Sequence, residues 1–369
     1  MQKTIADIRN QKAWTADNIE YLLSLREESQ QELLSLAGEC LLQNRGNEVY
    51  YRGLVEFSNI CTKDCYYCGI RKSNQHNERY DLPDEAITEA ARFAHAHRYG
   101  SLVLQSGERS DKTFVDRIDR LLKKIRKETG GKLGITLSLG EQTPDTYKRW
   151  FESGAHRYLL RIETSDEQLY RELHPNDEKH NFHKRVESLR AIQAAGYQTG
   201  TGVMIGLPGQ NLRHLANDLL FMKDFDIDMV GMGPYIEHEE TPLYHEREKL
   251  WPLRERFLTS LNMVAVLRLV MPDINIAATT AMQAIDPMGR EKAMQAGANV
   301  IMPNITPSNL RRNYLLYQNK PCIDEGADDC TNCLSVRLEM VGRKPGFDQW
   351  GDSLHFFNRT KTLNNKSLK

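Results

Sequence analysis

Tyr50-Tyr-Arg-Gly-Leu-Val-Glu-Phe57-Ser-Asn-Ile-Cys61-Thr-Lys-Asp-Cys65-Tyr-Tyr-Cys68 is the stretch on which the reading of the whole chain turns. Residues 50–57 read as a short strand rich in aromatic and β-branched side chains. Directly after it come three cysteines spaced C-x3-C-x2-C. Thiolates hold iron–sulfur clusters, and a 4Fe–4S cube ordinarily takes four of them. Three ligands in one tight loop leave one iron open, as a catalytic zinc site leaves one position open. Structural zinc is the competing reading, but it prefers four ligands and paired C-x2-C spacing.

Outward from this loop, short apolar runs alternate with amphipathic stretches. Helices are expected at Pro83–His97, Asp111–Lys127, Thr143–Glu152, His183–Ala195, Leu212–Asp224, Trp251–Val270 and Arg290–Ala296. Strands are expected at Ser101–Gln105, Leu133–Ser138, Arg157–Arg161, Gln198–Ile205, Asp228–Met232, Asn275–Ala278 and Ala298–Met302. Strand–helix alternation implies parallel pairing with right-handed crossovers, and about eight units close a (β/α)8, TIM-type barrel. The expected organisation is an N-terminal helical extension over residues 1–48, the barrel over 49–310 and a tail over 311–369. In the extension, Thr15-Ala-Asp-Asn18 precedes apolar residues at helical spacing, and Cys40 reads as a small buried hydrophobe. In the tail, residues 335–347 suggest a short helix, and residues 358–369 suggest frayed polar chain.

The chain has 369 residues, of which 27% are charged and 40% hydrophobic, with a formal net charge of −1. That balance suits a soluble globular fold and supplies no global field for nucleic acid or anionic lipid. The basic run Leu121–Lys127 reads as a solvated helix face. No signal peptide or apolar run of about 18 residues is visible, so a cytoplasmic location and no membrane partner are expected. In that reducing compartment the seven cysteines are not expected to form disulfides. A second triad, Cys322-x7-Cys330-x2-Cys333, lies in a stretch that also carries Asp324, Asp328 and Asp329. It suggests a second Fe–S site, with zinc or free thiols as alternatives.

A C-x3-C-x2-C loop after the first strand of an α/β barrel resembles the radical S-adenosylmethionine (SAM) superfamily. The resemblance implies that the open iron binds the amino and carboxylate groups of SAM. The reduced cluster then cleaves SAM to methionine and a 5′-deoxyadenosyl radical. Tyr67 matches the aromatic residue beside the adenine, and Gly107-Glu108 the segment that meets the methionine amino group. Glu163 and Arg185 match further SAM contacts, Arg185 as the partner of the SAM carboxylate. The Gly202–Gly209 stretch would lie against the adenine or simply form a tight turn. His238 is tempting as a base, but a structural role is at least as natural.

Further motifs narrow the resemblance. Tyr51-Arg-Gly-Leu-Val-Glu-Phe-Ser-Asn59, Leu104-Gln-Ser-Gly-Glu108, Arg161-Ile-Glu163-Thr164, Gly206-Leu-Pro-Gly-Gln210, Ala278-Thr-Thr-Ala281, Gly297–Pro303 and the tail triad resemble the HydE family, radical SAM maturases of FeFe-hydrogenase. The likeness runs from the N-terminal helices to about residue 347. It implies a part in building the two-iron subcluster of the hydrogenase H-cluster, acting on an organometallic substrate, a cysteine-bound iron carbonyl cyanide. Implied partners are the tyrosine-cleaving radical SAM maturase, a scaffold GTPase and an electron donor such as ferredoxin or flavodoxin. Gln105, Ser106, Thr136, Arg161, Met229, Thr279 and Thr280 match the family's substrate pocket. The chain departs from the pattern at the insertion-like stretch Asn176–His180 and at Ile162. Methylornithine synthase is the nearest rival. Biotin synthase needs further cluster ligands inside the barrel, and no cysteine other than 61, 65 and 68 lies between Val49 and Met302. A non-catalytic Fe–S carrier is the rival of another class.

Overall fold

The computed structural model describes residues 4–324 and 326–366, apart from the side chains of 327–332 and 362–366. Eight parallel strands ring the centre: β1 Glu48–Ser58, β2 Ser101–Ser106, β3 Gly134–Ser138, β4 Arg157–Leu159, β5 Gln198–Thr201, β6 Met229–Val230, β7 Asn275–Ile276 and β8 Val300–Ile301. Hydrogen-bonded neighbours run β8-β1-β2-β3-β4-β5-β6-β7. A parallel bridge between Ala277 and Val300 closes the ring. There Asn299 N–H donates to Ile276 O at 2.9 Å and Ala278 N–H to Val300 O at 2.9 Å. The expected TIM-type barrel is therefore present. Among the described residues no helix is long and apolar enough to cross a membrane.

Local chemistry starts the helices where the sequence places them. The Asp111 carboxylate accepts from Phe114 N–H at 3.0 Å, and Thr143 Oγ1 from Thr146 N–H at 3.2 Å. Such caps satisfy amides that have no partner inside the helix. The helix Lys112–Glu128 buries Leu121, Leu122 and Ile125, while Lys123 and Lys124 pair with Asp119 and Glu85. The basic run is thus the outer face of an amphipathic helix.

The N-terminal extension forms α1 Ile5–Asn10, α2 Ala16–Ser24 and α3 Glu27–Arg45. It packs on the long helix Leu253–Val270. Gln30 donates to Asn262 Oδ1 at 2.7 Å, and Asn262 donates in turn to Leu23 O at 3.0 Å and Leu25 O at 2.9 Å. Cys40 is buried, and its thiol meets Arg268 O at 3.5 Å.

Three expectations need correction. The strands expected at 157–161 and 198–205 are cut short, because side chains take over the ladder. Thr201 Oγ1 accepts from Ile162 N–H at 3.2 Å and donates to Leu160 O at 2.9 Å. Beyond that point Met204–Ile205 pairs separately with Gly233–Pro234. The tail helix is Ala327–Met340, and Lys344–Gly346 is a strand beside the start of β1. Residues 354–366 form a helix, where frayed chain was expected from 358; residues 367–369 lie outside the described set. Ion pairs dock this helix: His355 bridges Asp226 and Asp273, and Arg359 binds Asp228 at 2.6 Å. A hydrophobicity pattern carries no signal for such docking.

Residues 347–353 plug the lower end of the barrel. Trp350 O accepts from Ser101 Oγ and from Arg157, each at 3.0 Å. Gly351 O accepts from Asn275 at 2.8 Å. Gly100 is required here, since a Cβ would lie 1.6 Å from Gln349 O.

Candidate active site

The C-terminal strand ends surround a cavity of about 350 Å³. In a parallel barrel this is the end where side chains from several strands and loops converge. The cysteine loop forms one wall. Arg79 shapes it by donating to Asn59 O at 2.7 Å, Ile70 O at 2.8 Å, Arg71 O at 2.5 Å and Asn74 O at 3.0 Å. From the far side, His180 Nε2 accepts from Asp64 N–H at 2.9 Å. His180 belongs to the insertion-like stretch, which therefore braces the loop.

Cys61 and Cys68 line the cavity, and Cys65 is buried beneath them. Two backbone amides point at Cys61 Sγ, from Lys63 at 3.4 Å and Glu108 at 3.3 Å. Burial pushes the Cys68 thiol up to about 12. Burial, and then Cys68 and Cys61, push the Cys65 thiol well up. Such thiols lose their protons on metal ligation, which couples binding to pH. Gly107 packs directly on this loop: a Cβ there would lie 2.5 Å from Ile60 O and 2.8 Å from Cys61 Cβ.

Beside the loop lies a buried group of four charges. Lys63 Nζ sits 3.1 Å from Glu108 and 3.0 Å from Glu141. Arg185 reaches Glu141 at 2.8 Å and Glu108 at 3.7 Å. Two cations and two carboxylates balance, which is what permits their burial. Lys63 and Glu141 were not among the sequence candidates. Gly140-Glu141 follows β3 as Gly107-Glu108 follows β2, and that repetition was the available signal.

Arg161 and Glu163 lie beyond the end of β4 and pair with each other. Arg161 Nε reaches both carboxylate oxygens, at 2.9 and 3.0 Å, and Nη2 reaches Oε2 at 2.9 Å. The remaining guanidinium contacts go to Gly231 O at 2.5 Å and Val203 O at 3.0 Å. Glu163 adopts φ +67°, a left-handed conformation that a non-glycine residue holds only when its surroundings enforce it. Tyr67 lines the cavity, with its hydroxyl 3.2 Å from His174 Nε2.

Gln105, Ser106, Thr279 and Thr280 also line the cavity. Two of them contact the segment that crosses the barrel mouth: Gln105 donates to Tyr314 OH at 3.3 Å, and Thr280 Oγ1 lies 2.8 Å from Tyr317 OH. The same segment buries Lys320 against Glu56 at the top of β1. Thr136 and Met229 do not line the cavity. They face the lower barrel, where Thr136 accepts from Arg157 at 3.0 Å and Met229 Sδ from Arg52 at 3.3 Å. His238 is buried in a turn, its Nδ1 accepting from Glu240 N–H at 3.2 Å. Of the second triad, Cys322 lines the outer part of the cavity and Cys333 is exposed. The Cys330 side chain lies outside the described residues, as do those of Asp328 and Asp329.

A sequence profile of the radical SAM superfamily matches residues 55–222, the half of the barrel that carries the cysteine loop and the charge cluster. The FeFe-hydrogenase maturase subunit HydE of Thermotoga maritima is 42% identical over 357 residues, covering 96% of this chain and 98% of that one. The chain belongs to the radical SAM superfamily. It is a radical SAM enzyme, and membership implies a 4Fe–4S cluster and SAM as its cofactors. A 3-methylornithine synthase of Methanosarcina acetivorans is 28% identical, over 89% of each chain. Among solved structures, methylornithine synthase aligns at TM-score 0.76 with 27% identity, covering 91% of this chain and 95% of that one. The maturase HydG from Carboxydothermus hydrogenoformans aligns at TM-score 0.76 with 19% identity, covering 93% and 79%, and shares the fold.

The radical SAM cofactors fit these residues. Three thiols share one loop, near enough that Cys68 and Cys61 add to burial in pushing the Cys65 thiol up. A cubane takes one thiolate on each of separate irons, and Cys61, Cys65 and Cys68 offer three from a single loop. The neighbouring carboxylates and guanidinium supply complementary partners for an amino acid's ammonium and carboxylate.

Proposed function

We propose that this radical SAM enzyme acts in assembly of the two-iron subcluster of FeFe-hydrogenase, on a cysteine-bound iron carbonyl cyanide. The observation that carries the reading is the likeness to HydE along nearly the whole of both chains. In the cavity, hydroxyl, amide and charged groups stand in a mostly apolar wall to which Tyr314, Tyr317 and Cys322 contribute, a lining that would suit a complex with both polar and apolar parts.

Cys61, Cys65 and Cys68 would hold the cluster, and Tyr67, Gly107, Glu108, Glu163 and Arg185 would hold SAM. Bound there, these cofactors supply the adenosyl radical. The protein's own part is to bind, orient and exclude water. Gln105, Ser106, Arg161, Thr279 and Thr280 would face the substrate, whereas Thr136 and Met229, which lie below the cavity, would hold Arg157 and Arg52 in the lower barrel. Cys322, Cys330 and Cys333 would form a second Fe–S site at the mouth. The same reading brings a tyrosine-cleaving maturase, a scaffold GTPase and a ferredoxin or flavodoxin as partners, in the cytoplasm.

The test is anaerobic. Reconstituted protein, SAM and reductant are incubated with the iron carbonyl cyanide complex, and its CO and CN infrared bands are followed. Their consumption, together with activation of apo-hydrogenase once the partner maturases are added, is the expected result. A methylornithine-synthase-like mutase would instead form 3-methylornithine and leave those bands untouched. A cluster carrier would do neither.

A further inference from the structure

Glu163 holds its left-handed φ of +67° in a frame built from two sides. On the barrel side its N–H donates to Gly202 O at 3.0 Å, and its carbonyl accepts from Met204 N–H at 3.1 Å. On the other side the chain runs into Thr164 and Ser165, and Ser165 is fixed from the outer layer. Asp218, on the helix Leu212–Asp224, accepts at Oδ1 from both the N–H and the Oγ of Ser165, each at 2.6 Å.

An aspartate is costly at that place. Asp218 is fully buried, as Thr164 is, and among the described residues no cation pairs with it. Burial pushes its carboxyl up to about 7, against the pull of the Ser165 bonds. A carboxyl buried without a counter-ion destabilises a fold unless it does what an apolar residue could not. The left-handed conformation also costs free energy in a non-glycine residue. With Ser165 pinned, that cost is met on folding. Without the pin, a ligand of Glu163 has to meet it on binding. We propose that Asp218 is a positioning residue for SAM: by pinning Ser165 it presets the left-handed Glu163 to receive the cofactor. It lines no part of the cavity and acts through Glu163. This rests on the reading of Glu163 as a SAM contact.

The experiment is calorimetric titration of the cluster-reconstituted protein with SAM, with iron and sulfide per chain measured alongside. D218L removes the acceptor at similar size. It is expected to bind SAM about 10- to 100-fold more weakly, the range for a left-handed residue that must be re-formed on binding. Its cluster content is expected to match the wild type. D218N keeps the accepting oxygen, so its SAM affinity is expected to stay within about twofold of the wild type. In the D218L/E163A double variant the two losses are not expected to add, because one acts through the other. Wild-type affinity in D218L, loss of cluster in D218L, D218N as weak as D218L, or additive losses in the double variant overturns the proposal. Should D218L fail to fold, S165A decides: it removes one of the two bonds, and an undiminished SAM affinity counts against the proposal. The underlying reading fails separately, if E163A binds SAM as tightly as the wild type.

Discussion

The Tyr67 hydroxyl donates to His174 Nε2 across 3.2 Å. The direction of that bond follows from the other side of the ring, where Nδ1 lies 2.7 Å from Tyr170 O, a group that can only accept. Burial, only partly opposed by that carbonyl, lowers the His174 pKa to about 3, so the ring is neutral at working pH. The imidazole also stacks on Tyr170, with centroids 4.1 Å apart. It therefore holds the cavity aromatic between Cys65 and Cys68 in one orientation.

His174→Phe keeps a ring but removes the acceptor, leaving a buried hydroxyl unpaired. The expected cost is about 1–3 kcal/mol of stability. Weaker SAM binding is also expected, read by titration of the reconstituted protein. Because the ring stays neutral, wild-type SAM affinity is expected to show no step between pH 5 and 8 from this histidine. A step there that vanishes in His174→Phe contradicts the assignment.

The Lys63–Glu108–Glu141–Arg185 group predicts non-additive mutations. Lys63→Met leaves two buried carboxylates facing one cation, and about 3–5 kcal/mol of destabilisation is expected. Adding Glu141→Gln restores the charge balance and is expected to recover part of that loss. Urea denaturation of the two single variants and the double one measures the coupling.

The C-terminal helix predicts a pH dependence. Burial works against a charged His355, but Asp273 and then Asp226 outweigh it and raise its pKa. A histidine whose pKa is raised on folding contributes stability that is complete below its unfolded value, about 6.5. That contribution fades as the pH climbs through the raised, folded value. Stability of the wild type relative to His355→Gln is therefore expected to be greatest near pH 5 and to shrink toward pH 9. A difference that is flat across this range counts against the bridge.

The plug predicts a backbone effect. Gly100→Ala drives a methyl group into Gln349 O, and about 1–3 kcal/mol of destabilisation is expected from the forced shift. The denaturation midpoint should fall without a change in slope, since the unfolded surface is unaltered.

The sequence carried the barrel well because its strands and helices differ in hydrophobic period, and β1 with its cysteine loop is marked by residue type as well. The parts it hid are held by polar side chains. Thr201 truncates two strands by a hydroxyl, and His355 and Arg359 dock a helix that has no strong apolar stripe. At the site, spacing showed which residues end strands but not which of them meet. Arg161 lines the cavity and pairs with Glu163, while Thr136 and Met229 meet the lower arginines, Arg157 and Arg52. Arg79, His174 and Tyr314 come from helices and connections, where no strand periodicity points to the cavity.

The most direct measurement is 5′-deoxyadenosine formed anaerobically from SAM and dithionite by the reconstituted protein and by Cys65→Ser. Cys65 is the buried member of the triad, so its loss should leave the cluster without a required ligand. The account predicts product with the wild type and none with Cys65→Ser. Cluster assembly in the wild type without 5′-deoxyadenosine, or product undiminished in Cys65→Ser, would contradict it.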